Sequence, residues 1–205
     1  GCSILMNIGS KPVQSANGMV TTICWSIEGR VDYALEGVIV SCGSTIEWLK
    51  NELNLFSDSK ETEAMATAVT DNGGVYLVPA FSGLGSPHWQ MDRRASITGM
   101  SFGTTKNHIV RAALESIPYQ IKDVIVAMEN DAAVQLKELN VDGGITSNVF
   151  VMHFLTDLLK KRVASIGMPD VSALGAAYLA GLKAGVYESV DTLKKLNLTK
   201  KYLHP

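Results

Sequence analysis

The 205-residue chain carries 18 basic and 20 acidic side chains, a formal net charge of -2, so it has no basic footprint for nucleic acid or an acidic membrane surface. With 46% hydrophobic and 19% charged residues, it has the composition of a globular domain and enough length for a well-buried core. Cys2, Cys24 and Cys42 are widely spaced and form no CxxC pair; they indicate neither a zinc site nor a disulfide framework and fit a reducing cytoplasm, and no apolar run approaches bilayer-spanning length.

The first forty residues read as β structure. "GCSILMNIG", "GMVTTICWSI" and "RVDYALEG" are strand-like and are separated by the turns "SANG" and "IEGR". The first of these reads as a strand already under way, so a fragment lacking an upstream partner is expected. From Gly43 the pattern turns helical: Ile46, Leu49 and Leu53 fall on one face with Trp48 beside them, and Ser44 or Thr45 can cap the start. "SDSKETEAMATAV" predicts a second short helix capped by Ser57 or Ser59.

"GVYLVPAF" predicts a short strand, "SGLGSPHWQMDRRA" a loop and "SITGMSFG" another strand. A long helix is expected from about Thr105 to Met128, with Ile109, Ala113, Ile117, Ile121 and Val124 on one face and a kink at Pro118. Then come a strand "ELNV", the turn Asp142-Gly143-Gly144 and a helix from Ser147 to about Lys160. "RVASIG" reads as a strand, "SALGAAYLAGLKAGV" as a small-residue helix suited to packing on a sheet, and "SVDTLKKL" as a short exposed helix. Strands first, then alternating strands and helices, argue for one mixed α/β domain.

The common catalytic kits are absent from the sequence. There is no GxxxxGK[ST] or HExxH; "GLGSPH" fails GxGxxG at His88, and "AFSGL" fails GxSxG at Ala80. His88, His108, His153 and His204 fit no metal spacing. Asp142-Gly143-Gly144 differs in kind. A strand-to-helix turn exposes backbone N–H groups, and the helix dipole adds partial positive charge. Glycine lets a phosphate approach the backbone. Asn148 follows with both a donor and an acceptor. The plain alternative is a tight turn with a solvated asparagine. Gly43 poses the same choice, with Glu47 on the first turn of its helix; the two starts could converge on one nucleotide, which spacing alone does not establish.

The stretch "ASITGMSFGTTKNHIVRAALES" resembles the second signature of the FGGY carbohydrate kinase family. Ala95, Ile97, Gly99 and Met100, then His108, Ile109, Ala112, Ala113, Leu114 and Glu115, match position by position. "MNIGSKPVQSANGMVTTI", "YALEG", "GVYLVPAFSGLGSPHW", "VDGG" and "ALGAAYLAGL" resemble segments of the family's glycerol kinase branch, so the likeness spans essentially the whole chain.

The resemblance implies an actin-like ATPase (ribonuclease H-like) α/β domain with a mixed sheet flanked by helices. It makes residues 1–205 a single C-terminal domain whose N-terminal domain partner lies upstream, with ATP and a polyol bound between the two. It implies an ATP-dependent polyol kinase that converts glycerol to sn-glycerol 3-phosphate. The rivals are a family member acting on another sugar or polyol, such as xylulose or erythritol, and a non-catalytic nucleotide-binding module.

By the same resemblance, Gly43 opens the nucleotide-binding helix, and Glu47 stands at a position that is often Gln. Gly143 and Gly144 are the glycines of the adenosine motif, and Asn148 is the polar residue that reaches the base. Gly1 is what remains of a Gly-Thr-Gly phosphate turn. Ser3 stands where glycerol kinases commonly carry Phe against the polyol. The aspartate base is expected upstream of Gly1, so no catalytic residue and no metal ligand is assigned here. Mg2+ would be held mainly by the nucleotide and the other domain. Asp142, Asp92 and Glu115 receive no catalytic role, and Glu115 is assigned to helix packing or polar satisfaction. A cytoplasmic location and a homo-oligomer complete the expectations.

Overall fold

The computed structural model describes residues 1–166, 170–196 and 200–205. The first sheet is an antiparallel meander of β1 (Cys2–Gly9), β2 (Val20–Ile27) and β3 (Arg30–Ile39) in the order β1-β3-β2. β2 and β3 join through Glu28 and Gly29, both at positive φ (50° and 81°), the pair of left-handed residues that a two-residue hairpin needs to match the strand twist. β3 is central; Leu35, Gly37 and Ile39 are buried on one face, and Asp32 and Ala34 are buried on the other. A methyl group at Gly37 would run into Val124, so this glycine marks where the long helix lies directly on the sheet.

α1 (Gly43–Asn51) and α2 (Glu61–Thr67) follow, then the two-stranded ladder of β4 (Tyr76–Val78) and β5 (Ser96–Thr98). α3 (Lys106–Ala132) is the spine of the molecule. Its second half carries Ile117, Val124, Ile125 and Met128 into one core with Leu35, Ile39, Leu155 and Val163. Its first half carries Val110 and Leu114 into a second core with Ile46, Leu49 and Val75. Each fully buried aliphatic side chain contributes about 1.5–3 kcal/mol. The helix continues unbroken through the buried Pro118.

β6 (Glu138–Val141) pairs in parallel with β7 (Arg162–Ser165), and α4 (Val149–Leu159) supplies the crossover that a parallel pair requires. β8 (Lys201–Leu203), which no local pattern predicts, adds antiparallel to β7. α5 (Val171–Lys183) and α6 (Val190–Lys195) lie between β7 and β8 in sequence. Gly167, the last residue of the predicted strand "RVASIG", lies outside the described residues.

Five local expectations need correction. Leu53 does not extend the apolar face of α1; the helix ends at Asn51 and Leu53 is exposed. Neither Ser44 nor Thr45 caps α1: the cap position is Cys42, and the Thr45 hydroxyl is buried without a partner. Neither Ser57 nor Ser59 caps α2. The Glu61 carboxylate instead reaches back to accept the Ser57 and Asp58 N–H groups at 3.1 and 2.7 Å. The stretch after Gly144 is a 3-10 turn (Gly144–Ser147), and α4 starts only at Val149. Finally, α5 is helical but buries none of its residues, so it is not packed on a sheet.

Candidate functional site

α1 begins without a side-chain cap, leaving first-turn donors and the positive end of its dipole available. Across from it, β6 ends at Val141 and the chain turns through Gly143, whose φ of 96° suits glycine and little else. The 3-10 turn follows, and Asn148 then caps α4 by accepting the Val151 N–H at 3.1 Å. The Asn148 amide also donates to the Thr62 hydroxyl at 3.2 Å. The Glu63 carboxylate accepts the Val149 N–H at 2.8 Å. These two bonds tie the start of α4 to α2.

These three beginnings enclose a cleft of ≈ 910 Å³, which Gly43, Glu47, Gly144 and Asn148 all line. A second, inner cavity of ≈ 540 Å³ is lined by Gly1, Ser3 and Gly143 and shares Gly43 and Gly144 with the first. The two glycine-led starts, far apart in sequence, therefore form one continuous recess. A Cβ added at Gly43 or Gly144 would meet nothing within 4 Å, and neither residue has positive φ. Nothing in the protein requires glycine at these two positions. The absence of a side chain leaves bare backbone facing the cleft.

Gly1 is a different case. A Cβ there would sit 2.8 Å from the Ile39 carbonyl oxygen, so close packing on the end of β3 demands glycine. Glu47 is exposed; it accepts from the Ser59 hydroxyl at 3.1 Å and lies 4.0 Å from Lys50. Ser3 donates to Glu36 at 2.6 Å. Asp142 lines the inner cavity, whereas Glu115 is buried in an ion pair with Arg111 at 2.8 Å and accepts from Asn72 at 3.1 Å.

Sequence reading missed the α2 wall, where Ser59, Lys60, Thr62 and Glu63 line the cleft. Only the reach from Glu61 back to Ser57 and Asp58 had a local signal, and it concerns the helix start rather than the cleft. Among the described residues no group of three or more His, Cys, Asp or Glu side chains is disposed to hold a metal ion. The two carboxylates on the outer cleft, Glu47 and Glu63, already accept hydrogen bonds from Ser59 and Val149.

The architecture around this cleft recurs in sugar kinases. A gluconate kinase and a xylulose kinase from Lactobacillus acidophilus superpose with TM-scores of 0.83 and 0.84 at 17% identity, each covering 99% of this chain and 41% of the other; they share the actin-like α/β fold. The glycerol kinase of Plasmodium falciparum, solved with ADP, superposes with a TM-score of 0.89 at 38% identity over 98% of this chain and 40% of that one. The family model for the C-terminal domain of the FGGY carbohydrate kinases matches residues 1–184, and the chain belongs to that family. It is 50% identical over 195 residues to a glycerol kinase of Fusobacterium nucleatum, covering 95% of this chain. It is 48% identical over all 205 residues to one from Clostridium perfringens. The chain spans 39% and 41% of the length of these two relatives. Among the described residues no helix is long and apolar enough to cross a membrane.

Proposed function

We propose that residues 1–205 form a single C-terminal, nucleotide-binding-side domain of an ATP-dependent polyol kinase that converts ATP and glycerol to ADP and sn-glycerol 3-phosphate. The observation that carries this reading is the convergence of Gly43, Glu47, Gly144 and Asn148 on one cleft. The likeness to enzymes named glycerol kinase, one of them solved with ADP, supports it.

In this reading the N–H groups at the start of α1 and at the Gly143-Gly144 turn receive the nucleotide's phosphates, as helix starts and glycine turns do. Asn148 spends its carbonyl on Val151 and one amide hydrogen on Thr62. Its second amide hydrogen is then available to an acceptor on the base. Phosphoryl transfer depends on positioning and on charge neutralisation rather than on covalent chemistry by the protein. The residues here supply the positioning. The base is assigned to the N-terminal domain, and this chain alone is expected to be inactive. The described residues offer no cluster of ligands for Mg2+, which the nucleotide and the N-terminal domain would hold. The N-terminal domain is the first partner. A homo-oligomer of the whole protein belongs to the same proposal.

Ser3, paired with Glu36 on the inner cavity, favours a second reading in which the acceptor is a more polar polyol or sugar such as xylulose or erythritol. A coupled assay of ADP release by the full-length protein, with these acceptors beside glycerol, separates the two. Turnover on glycerol supports the first reading; turnover on another acceptor but none on glycerol refutes it.

A further inference from the structure

Two of the three cysteines meet at the inner cavity. Cys42 holds the cap position of α1, and Cys2 opens β1. The β1–β3 ladder sets Cys2 opposite Ile39, which places the start of β1 beside the short segment leading to Cys42. Cys2 packs against the core cluster that holds Cys42, and the two thiols are close enough to shift each other's acidity. Both line the cavity beside Gly43 and Gly144. Cys24 lies apart on β2, where its sulfur accepts from the Asn7 amide at 3.7 Å.

The thiols are unequal. Contact with the Cys2 thiol lowers the Cys42 thiol below its ordinary range against the penalty of burial, helped by the Gly43 N–H. The same contact, burial and the charges of Cys42 and Asp142 push Cys2 up. Cys42 is thus the more acidic and more nucleophilic member of the pair and Cys2 the one that holds its proton, the order that stepwise oxidation follows.

We propose that Cys2 and Cys42 form a reversible dithiol–disulfide pair at the inner wall of the cleft, oxidised by hydroperoxides and opened by thiol reductants. Cys42 as thiolate attacks one peroxide oxygen. The S–O bond forms, the O–O bond breaks, and the departing hydroxide takes up a proton to become water. Cys42 is then a sulfenic acid, two electrons more oxidised. The Cys2 sulfur attacks the Cys42 sulfur, the S–S bond forms, and the hydroxyl leaves with the Cys2 proton as a second water. Two thiols and one peroxide give one disulfide and two waters. Cys42 is 4% exposed, so a small oxidant that enters the cavity is favoured over a bulky disulfide.

The crosslink ties the start of β1 to the first turn of α1, fixing Gly1 and Gly43 against each other. The consequence for ligands rests on the nucleotide-site reading; the crosslink itself does not. With the first turn of α1 drawn toward β1, ADP affinity is expected to fall about tenfold, equivalent to about 1.4 kcal/mol.

The test uses the purified chain carrying Cys24→Ser, so that an internal crosslink can join only Cys2 and Cys42. The protein is treated with hydrogen peroxide, capped with N-ethylmaleimide and measured by intact and peptide mass spectrometry. The expected result is a monomer that has lost two hydrogens, takes up no maleimide and recovers both thiols after dithiothreitol. Oxidation that ends as a sulfinic acid on Cys42 with Cys2 still alkylated overturns the proposal, as does a protein with both thiols intact. Calorimetry with ADP on the reduced and crosslinked forms then reads the consequence. Equal affinities overturn control of the cleft by the crosslink. A reduced form that binds no ADP instead sinks the nucleotide-site reading, and the mass result still stands on its own.

Discussion

Gly43→Ala separates what the fold requires from what a ligand requires. Gly43 is the first residue of α1, its φ is not positive, and a Cβ built there meets nothing within 4 Å. Glycine to alanine in a helix is worth about 0.5–1 kcal/mol in favour of alanine. The substitution should therefore leave folding stability unchanged or raise it by up to about 1 kcal/mol. The same methyl group projects from the strip of bare backbone that the two cavities share. A phosphate drawn against that backbone would be displaced, and a tenfold loss of affinity is equivalent to about 1.4 kcal/mol. Urea denaturation measures the first effect, and ADP calorimetry measures the second. Weaker ADP binding by a variant at least as stable as the parent is expected. Unchanged affinity would refute the role of Gly43, and a stability loss above about 1 kcal/mol would show that the site is not sterically open.

Other substitutions test the surrounding structure. Asn148→Ala removes the cap of α4 and the bond to Thr62, and should destabilise the chain by about 1–2 kcal/mol in denaturant melts. Asn148→Asp keeps the acceptor for Val151, so it should recover most of that stability while losing the amide offered to the nucleotide base, measured as ADP affinity. Glu115→Ala leaves Arg111 with only the carbonyls of Ala66 and Val69 and the Phe150 ring. Breaking so buried a pair should cost about 3–5 kcal/mol in a urea melt, with ADP affinity intact in the folded fraction. Asp131 ties the loop at Ser15, Ala16 and Asn17 to the end of α3. Against the penalty of burial, those hydrogen bonds hold its carboxyl below the usual range. A lowered folded value stabilises above the unfolded one and is lost as pH falls through the folded one. Stability should therefore decline below about pH 4, and Asp131→Asn should flatten that decline in pH-dependent melts.

What the sequence makes legible follows from how local each signal is. The β2–β3 hairpin announces itself through Glu28-Gly29, and α3 through its apolar period. The Gly143-Gly144 turn shows itself at the end of "ELNV". Other features depend on distant partners. Asn148 reads as a residue within a helix because the period cannot show that a 3-10 turn intervenes and that Thr62 waits on α2. β8 is three residues that add to the edge of β7 and pack Leu203 against the core. The small residues of α5 predict close packing, yet none of them is buried. Gly43 and Gly144 are visible as glycines, but their meeting at one cleft is a property of the fold. The α2 wall had no sequence signal because Ser59, Lys60 and Glu63 are ordinary residues of an exposed helix start.

The most direct measurement is a titration of the isotopically labelled chain with ADP, followed by amide chemical shifts. If the cleft between α1, α2 and α4 is the nucleotide site, saturable shifts will cluster at Gly43, Gly144 and Asn148. They will spare the separate cavity lined by Tyr76, His88 and Tyr119. Shifts that do not saturate, or that gather at that second cavity and leave Gly43 and Gly144 unmoved, would contradict the account.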